Sequence, residues 1–300
     1  MLDYGSLSAV AAVVREGSFE RAALALGVTP SAVSQRVRSL EERLGSVLIV
    51  RGQPCRATKA GARICAHVER VRLLEGEMDL PALFGAADAK GPPTIRIAVN
   101  RDSLGTWFVP AIAAFTHRTG ALVDLVLDRE EFTSERLRTG EVLAAVTDDA
   151  SPVQGCRKLA LGSLRYVATA SPDFARTWFP RGADAKALAK APVIIFDRPD
   201  HLQAKWAREI KGARLAAPMH WIPATREFLE ATLAGIGWGM NPLCLVKDML
   251  ADGGLIDLSP GKYVDVALYW QCARVGGRLL DALTKEVVAT AKQGLVARRR

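Results

Sequence analysis

The stretch that most constrains the fold is TPSAVSQRVRSLEERLG, from Thr29 to Gly45. It begins with a threonine that can cap a helix and a proline that can start one, and it ends at a glycine that can close one. Side chains of two kinds recur at helical spacing between these ends. The apolar set is Val33, Val37, Leu40 and Leu44, and the small, hydrogen-bonding or cationic set is Ser31, Ser34, Gln35 and Arg38. This pattern predicts a helix that packs by one face and presents the other.

Two shorter amphipathic segments precede this helix. Ser18 can cap the second of them, and Gly27 can end it. Their apolar faces hold Leu7, Val10, Ala11 and Val14 in the first segment and Phe19, Ala22, Ala23 and Leu26 in the second. Three amphipathic helices with a tight glycine turn between the last two are what a helix-turn-helix requires.

The segment after Gly45 predicts a wing and a long helix. The apolar run at 47–50, followed by the turn residues RGQP, predicts two short strands with Arg51 and Arg56 near their tip. A helix in the major groove and arginines on phosphates or in the minor groove would together bind DNA. Thr58 can cap the following helix. The apolar stripe of that helix, Ile64, Val68, Val71 and Met78, predicts a partner helix and hence a dimer.

Charge and composition favour a folded protein with an anionic partner. The net charge is +8, and from Ser18 to Arg72 ten Lys or Arg face four acids, a local net charge of +6. With 49% hydrophobic and 24% charged residues, the chain is typical of folded proteins. We expect a cytoplasmic protein without membrane partners, because it has neither an uninterrupted apolar run of about 18 residues nor the plan of a signal peptide.

The sequence has few of the motifs that are typical of an enzyme. Its five cysteines are scattered without a CxxC pair, and its four histidines do not pair at ligand spacing, so we expect reduced thiols and no metal site. No Ser-His-acid order, nucleotide-binding glycine loop or HExxH motif is present. The glycine cluster GIGWG at 235–239 is better explained as a helix end and a turn. We therefore expect no catalytic activity and no cofactor.

Beyond the helix-breaking Gly91-Pro92-Pro93, strand-like and helical segments alternate. This alternation predicts α/β layers with mainly parallel strands. About two hundred residues exceed one small sheet, which predicts two lobes with a ligand cleft between them. The strand-like runs are 94–100, 122–128, 142–148, 192–197, 219–224, 255–259 and 264–270, and the helical runs are 106–120, 130–141, 200–210 and 225–237.

The phrases GSFERAALALGVTPSAVSQRVRSLEERLG and LIVRGQPCRATKAG resemble the winged helix-turn-helix of LysR-type transcriptional regulators. The rest of the chain resembles the effector domain of that family, which has the fold of periplasmic solute-binding proteins. The phrases AVNRDSLGTWFVPA, LRTGEVLAAVTD, KAPVIIFD, GGLIDLSPG and ALYWQCAR are most similar to the ArgP/LysG branch, whose members sense basic amino acids and control an exporter of them.

The resemblance implies an α/β chain of three parts. A winged helix-turn-helix DNA-binding domain covers 1–58, and a linker helix with its hinge covers 59–90. An effector-binding domain of two lobes covers 91–300, with lobe I at about 91–166 and 268–300 and lobe II at about 167–267.

The resemblance also implies an effector site at the carboxyl ends of strands, between the lobes. Ser103 and Thr106, at a helix start, would take the carboxylate of a basic amino acid. Asp148 or Asp197 would pair with its cationic group. Aromatic side chains, Trp107, Phe196 and Trp221, would cover its aliphatic stem. The full expected set is Asn100, Asp102, Ser103, Thr106, Trp107, Thr147, Asp148, Phe196, Asp197 and Thr225. The alternatives are helix caps or turn formers for the aspartates and core positions for the tryptophans.

In this family, a dimer is expected to place two recognition helices in successive major grooves of a roughly palindromic operator. The expected DNA contacts are Ser31, Ser34, Gln35 and Arg38 on bases or phosphates, and Arg36, Arg51 and Arg56 on phosphates. The family also implies a tetramer of two dimers, RNA polymerase as a further partner, and lysine or arginine, with histidine a third candidate, as effector. The alternatives are an architectural DNA-binding protein that needs no effector and an α/β enzyme fused to a DNA-binding domain.

Overall fold

The N-terminal helices begin and end at the residues that the sequence marks. The computed structural model describes residues 3–77, 92–127, 130–274 and 276–297. Helices α1 (Tyr4–Glu16), α2 (Phe19–Leu26) and α3 (Pro30–Leu44) start after side-chain caps and end at left-handed glycines. The caps are Asp3, Ser18 and Thr29, and the closing glycines are Gly17, Gly27 and Gly45. These assignments confirm the predicted helix-turn-helix.

The wing is also confirmed. Strands β1 (Ile49–Val50) and β2 (Arg56–Ala57) pair antiparallel. One predicted core position is wrong, because Leu44 is 48% exposed. Leu48 and Ile49, which follow the closing glycine of α3, complete the core cluster instead.

Helix α4 (Lys59–Glu77) uses its apolar stripe within its own chain. It packs against α1, and there Val68 is buried in the helix-turn-helix core with Ile64 partly buried against it. The first half of the stripe therefore packs against a helix of the same chain, and the predicted pairing of α4 with a second copy stays a prediction. Val71 is half-buried, and Met78 and Gly91 lie outside the described residues.

The chain divides into two compact units. Unit 1 comprises Met1–Val99, Ala113–Leu159 and Trp270–Glu286, and unit 2 comprises Asn100–Ile112, Ala160–Tyr269 and Val287–Arg300. The domain and lobe boundaries inferred from the family resemblance stay a prediction.

Unit 1 adds a sheet to the winged helix. Strands β3 (Thr94–Val99), β4 (Leu122–Leu127) and β5 (Ala144–Thr147) form it, with β3 parallel to both neighbours. Helices α6 (Val109–Thr119), which begins in unit 2, and α7 (Glu130–Thr139) connect these strands. This unit matches the predicted parallel α/β pattern.

Unit 2 contains antiparallel strand pairs and a separate two-stranded parallel sheet. Helix α5 (Arg101–Ser103) and a π-helical turn (Leu104–Phe108) open it. Strand β6 (Cys156–Ala170) continues from unit 1 into unit 2. It pairs antiparallel with β9 (Gly239–Pro242) and β10 (Ile256–Asp257). Strands β7 (Val193–Ile195) and β8 (Met219–Trp221) pair in parallel. The other elements are α8 (Pro172–Trp178), α9 (Ala185–Leu188), α10 (Leu202–Lys211), α11 (Thr225–Leu233) and α12 (Leu243–Ala251). Strand β11 (Val264–Ala273) and helix α13 (Gly277–Gly294) each have residues in both units.

Sequence reasoning missed the longest strand, β6. Charged side chains interrupt its apolar pattern, and two of them, Arg157 and Arg165, form ion pairs with acids distant in sequence. Within unit 2, Arg165 Nε and Nη2 donate to the two carboxylate oxygens of Asp265 at 2.7 and 2.8 Å. The prediction of mainly parallel strands is wrong for unit 2, because both β9 and β10 join β6 antiparallel. In the part of the chain that the structure describes, no helix has the length and apolarity to cross a bilayer.

Candidate functional site

The outer face of α3 carries the predicted DNA-contacting residues. Ser31, Gln35, Arg36 and Arg38 are exposed, and Ser34 is half-buried. On the opposite face, Val33, Val37 and Leu40 are buried in the core. The helix therefore separates its two sets of side chains as its spacing predicts.

Polar contacts fix the far end of α3 to the wing. The Oε1 atom of Glu41 accepts hydrogen bonds from the backbone N–H groups of Leu48 at 2.7 Å and Ile49 at 3.3 Å. The hydroxyl of Thr58 donates to the carbonyl oxygen of Val47 at 2.7 Å, at the start of α4. The hydrogen bonds to Glu41 are charge-assisted, and such bonds hold a backbone segment more firmly than neutral ones do.

The wing places two more arginines at the surface. Arg51 and Arg56 are exposed, and the guanidinium of Arg51 lies 5.3 Å from the ring centroid of Phe19. Among the residues that the structure describes, neither they nor Arg36 and Arg38 form an ion pair. Exposed arginines without a carboxylate partner are the side chains that bind phosphate most readily.

The second predicted site begins where unit 2 begins. The side chain of Asn100 caps the short helix α5 by accepting from the N–H of Ser103 at 2.9 Å. The hydroxyl of Thr106 donates to the backbone oxygen of Asp102 at 2.5 Å, so it is engaged by the helix itself. Trp107 is buried and packs edge-on against Phe108, which is the core role that was the alternative for this tryptophan. The Oγ atom of Ser103 is buried and has no partner in the described chain.

Asp102 is the centre of a hydrogen-bonded cluster. Its Oδ2 atom accepts from the hydroxyl of Tyr166 at 2.6 Å, and its Oδ1 atom accepts from the hydroxyl of Thr225 at 2.7 Å. Burial raises the pKa of Asp102, and the two hydrogen bonds act in the opposite direction. No Lys, Arg or His among the described residues forms an ion pair with this carboxylate. Within the described chain, the candidate site thus holds a half-buried acid without an ion-pair partner.

Aromatic residues lie in the same unit. Phe196 is half-buried, 6.5 Å from Phe228 between ring centroids, and the guanidinium of Arg101 lies 6.0 Å from its centroid. Trp221 is exposed, and Arg198 stacks on its ring at 5.2 Å.

The turn after β7 is made by a residue that sequence reasoning missed. Asp200 accepts from the N–H groups of Phe196 at 3.0 Å and Leu202 at 2.9 Å. The half-buried Asp197 therefore does not form this turn with its side chain.

Thr147 and Asp148 belong to unit 1, at the end of β5. The hydroxyl of Thr147 accepts from the N–H of Asp149 at 3.1 Å, which closes the chain after the strand. Asp148 is half-buried. The following loop is tied to Gln271, whose side chain accepts from Val153 N–H at 2.9 Å and donates to backbone oxygens of the loop.

Tyr166 is the site residue that the sequence did not indicate. It lies inside β6, and a tyrosine in a strand is most often a packing residue. Only the fold places its hydroxyl beside an acid 64 residues away in sequence. In the described part of the chain, no three His, Cys, Asp or Glu side chains come together as metal ligands.

Comparisons with known proteins identify the family of the chain. Residues 5–62 match the family model described as bacterial regulatory helix-turn-helix protein, lysR family, and residues 90–292 match that of the LysR substrate binding domain. The chain is 44% identical over 297 residues, 99% of its length and 98% of the relative's, to the HTH-type transcriptional regulator ArgP of Pseudomonas aeruginosa.

Two solved structures extend the similarity to the fold. One is the crystal structure of ArgP from Mycobacterium tuberculosis, with a TM-score of 0.83 and 39% identity, covering 99% of this chain and 100% of that one. The other is full-length LysG from Corynebacterium glutamicum with bound effector Arg, with a TM-score of 0.73 and 36% identity, covering 98% and 100%. The chain therefore belongs to the LysR family of effector-modulated, DNA-binding transcriptional regulators, and it is not an enzyme.

Proposed function

We propose that this regulator responds to a basic amino acid, arginine or lysine with histidine a third candidate, and controls a gene for an amino-acid exporter. The observation that carries the proposal is Asp102, a half-buried carboxylate with two hydroxyl donors and no ion-pair partner in the described chain. A buried charge without compensation is costly, and a ligand ammonium or guanidinium group would supply the missing charge. The LysG structure with bound effector Arg supports this choice of ligand.

Other residues of unit 2 suit the rest of an amino acid. The unpartnered Oγ of Ser103 is a donor that can bind a carboxylate. The half-buried ring of Phe196 offers an apolar surface for an aliphatic stem. Thr147 and Asp148, in unit 1, stay candidates from the family resemblance.

At the DNA, we propose that the exposed face of α3 reads the operator. Ser31, Ser34, Gln35 and Arg38 would contact bases or phosphates, and Arg36, Arg51 and Arg56 would bind phosphates. The chain would act in the cytoplasm as a dimer through α4, assembled further into a tetramer, with RNA polymerase as a partner. Among the described residues of the α4 stripe, the half-buried Val71 remains for a second copy.

A matched set of ligands tests the effector. DNase footprints on the DNA upstream of the protein's own gene would be compared with arginine, lysine, histidine, citrulline and agmatine. Citrulline has the shape of arginine without the positive charge of its side chain, and agmatine lacks the carboxylate. We expect arginine or lysine to change the footprint and citrulline and agmatine to have little effect. If no basic amino acid changes it, the proposal fails.

Three carboxylate variants then test which acid binds the cationic group of the effector. Asp102→Asn keeps the shape of the side chain and removes its charge, and we expect at least about a tenfold loss of arginine affinity by calorimetry. Asp148→Asn and Asp197→Asn make the same change at the other two candidate acids. An unaltered affinity in Asp102→Asn, with loss in one of the others, would move the cation site to that residue.

A further inference from the structure

The hydroxyl of Tyr166 donates a hydrogen bond to Asp102, in the candidate effector site, and not to the neighbouring strands. The residue is 5% exposed in β6, beside β9, where it stands opposite Pro242. Its hydroxyl donates to Oδ2 of Asp102, 2.6 Å away. Thr225, at the start of α11, donates to the other oxygen of the same carboxylate. Two separate elements of unit 2 therefore fix both oxygens of one acid.

This arrangement leaves the acid able to bind a ligand. A carboxylate has about four acceptor positions, and the two hydroxyls use one on each oxygen. The remaining positions can accept from an ammonium or guanidinium group. Because both donors come from the protein, the orientation of the carboxylate is set before a ligand arrives, which reduces the entropy lost on binding.

The hydroxyls also favour the charged form of the acid. Burial and the nearby charge of Asp200 raise the pKa of Asp102, and the hydrogen bonds from Tyr166 and Thr225 lower it. Burial and the neighbouring acid raise the pKa of Tyr166 itself well above its usual value, so this side chain stays a donor at physiological pH. The other titratable group nearby is the thiol of Cys244, whose pKa is raised by burial.

We propose that Tyr166 is a positioning residue for the effector site, holding the Asp102 carboxylate ionised and aimed at the cationic group of the effector. This inference rests on the proposed function. It assigns to the interior of β6 a role in ligand affinity that packing alone does not require. It predicts that removing one oxygen atom from Tyr166 changes both the strength and the pH dependence of effector binding.

Calorimetry of L-arginine binding to the full-length protein at pH 6, 7 and 8 tests the inference. Tyr166→Phe keeps the ring and removes the donor. A hydrogen bond to a charged group lost in this way corresponds to roughly a 10- to 100-fold weaker affinity. Removing the donor raises the pKa of Asp102, so the loss should be largest at pH 6 and smallest at pH 8. Thr225→Val removes the second donor and should shift the profile in the same direction.

The control is Tyr263→Phe, which removes a hydroxyl from an exposed tyrosine that immediately precedes β11 and lies outside the cluster. It should bind arginine as the wild type does at every pH. Equal affinity of Tyr166→Phe and wild type, or a loss of the same size at all three pH values, would overturn the inference. Absence of arginine and lysine binding by the wild type would overturn the proposed function instead, so the two failures are distinguishable.

Discussion

At the scale of single residues, the structure separates side chains that are engaged internally from those that are free to bind. Gln35 and Arg36 are exposed on α3 without an ion-pair or hydrogen-bond partner among the described residues. Thr106 and Trp107, in contrast, are used by the helix and the core. Helical periodicity alone could predict the first pair, because exposure on a regular helix follows from spacing. It could not predict the second pair, since the π-helical turn at 104–108 changes which way the side chains face.

The adjacent residues Gln35 and Arg36 allow base reading and phosphate binding to be tested side by side. We expect Gln35→Ala to relax base preference at one operator position, with about 1–3 kcal/mol less discrimination. We expect Arg36→Ala to weaken binding to all sequences alike and to reduce the slope of log affinity against log salt by about 1. Fluorescence anisotropy on an operator and on single-base variants of it, at several salt concentrations, measures both effects. A Gln35→Ala protein with full sequence discrimination would exclude base reading by this residue.

The candidate effector site also combines residues that the sequence could predict with contacts that it could not. Asp102 and Thr225 were predicted from the family resemblance, yet nothing in the sequence joined them to each other or to Tyr166. Their contacts span 123 and 64 positions of chain, distances over which no local pattern carries information. Residue types at strand ends can be predicted, whereas hydrogen-bond partners across elements depend on the completed fold.

At the scale of elements, the sequence predicted pieces with strong local signals and missed pieces that depend on partners. Helices α1 to α3 have caps and closing glycines, and all three were predicted. Helix α13 was not, although Leu280, Leu283, Val287 and Ala291 are buried at intervals of three or four residues, a helical spacing that could have revealed it. Strand β6 had no such signal, because its arginines disrupt the alternation and are paired only in the completed fold, with Asp265 of β11 and Asp281 of α13.

The contact between α4 and the wing predicts the effect of a glycine substitution. A Cβ atom at Gly61 would lie 2.0 Å from the carbonyl oxygen of Leu48. Alanine is usually better than glycine inside a helix by about 0.8–1 kcal/mol. At Gly61, overpacking should reverse the sign, and we expect a net destabilisation of about 1–3 kcal/mol. Urea unfolding of Gly61→Ala would measure this.

Gly5→Ala in α1 is the control for that measurement. Its new Cβ would meet only the side chain of Asp3, at 3.2 Å, and should cost little. A Gly61→Ala protein as stable as Gly5→Ala would contradict the close approach of α4 to the wing.

At the scale of the whole molecule, α4 serves more than the winged helix. Within unit 1, Val68 faces the core with α1, while Ala66 and Arg70 lie against Gly140, the residue that follows α7. A Cβ atom at Gly140 would lie 2.7 Å from Cβ of Ala66 and 3.1 Å from a guanidinium nitrogen of Arg70. This contact was not predictable, because it joins residues of α4 to a glycine after α7, and no local sequence pattern connects such distant positions.

Two glycines of nearly equal backbone conformation isolate the effect of that contact. Gly140 has φ +71° and Gly120 has φ +69°, but a Cβ at Gly120 would meet no atom within 4 Å. Alanine at either position should cost about 1–2 kcal/mol for the left-handed backbone. Gly140→Ala should destabilise the protein by a further amount of about 1–3 kcal/mol, because its Cβ overpacks against α4. It should also raise the rate of amide hydrogen exchange over residues 62–70. Gly120→Ala should have neither of these additional effects. Equal exchange in the two variants would mean that this glycine does not hold α4, and that the winged helix and the α7 segment move independently.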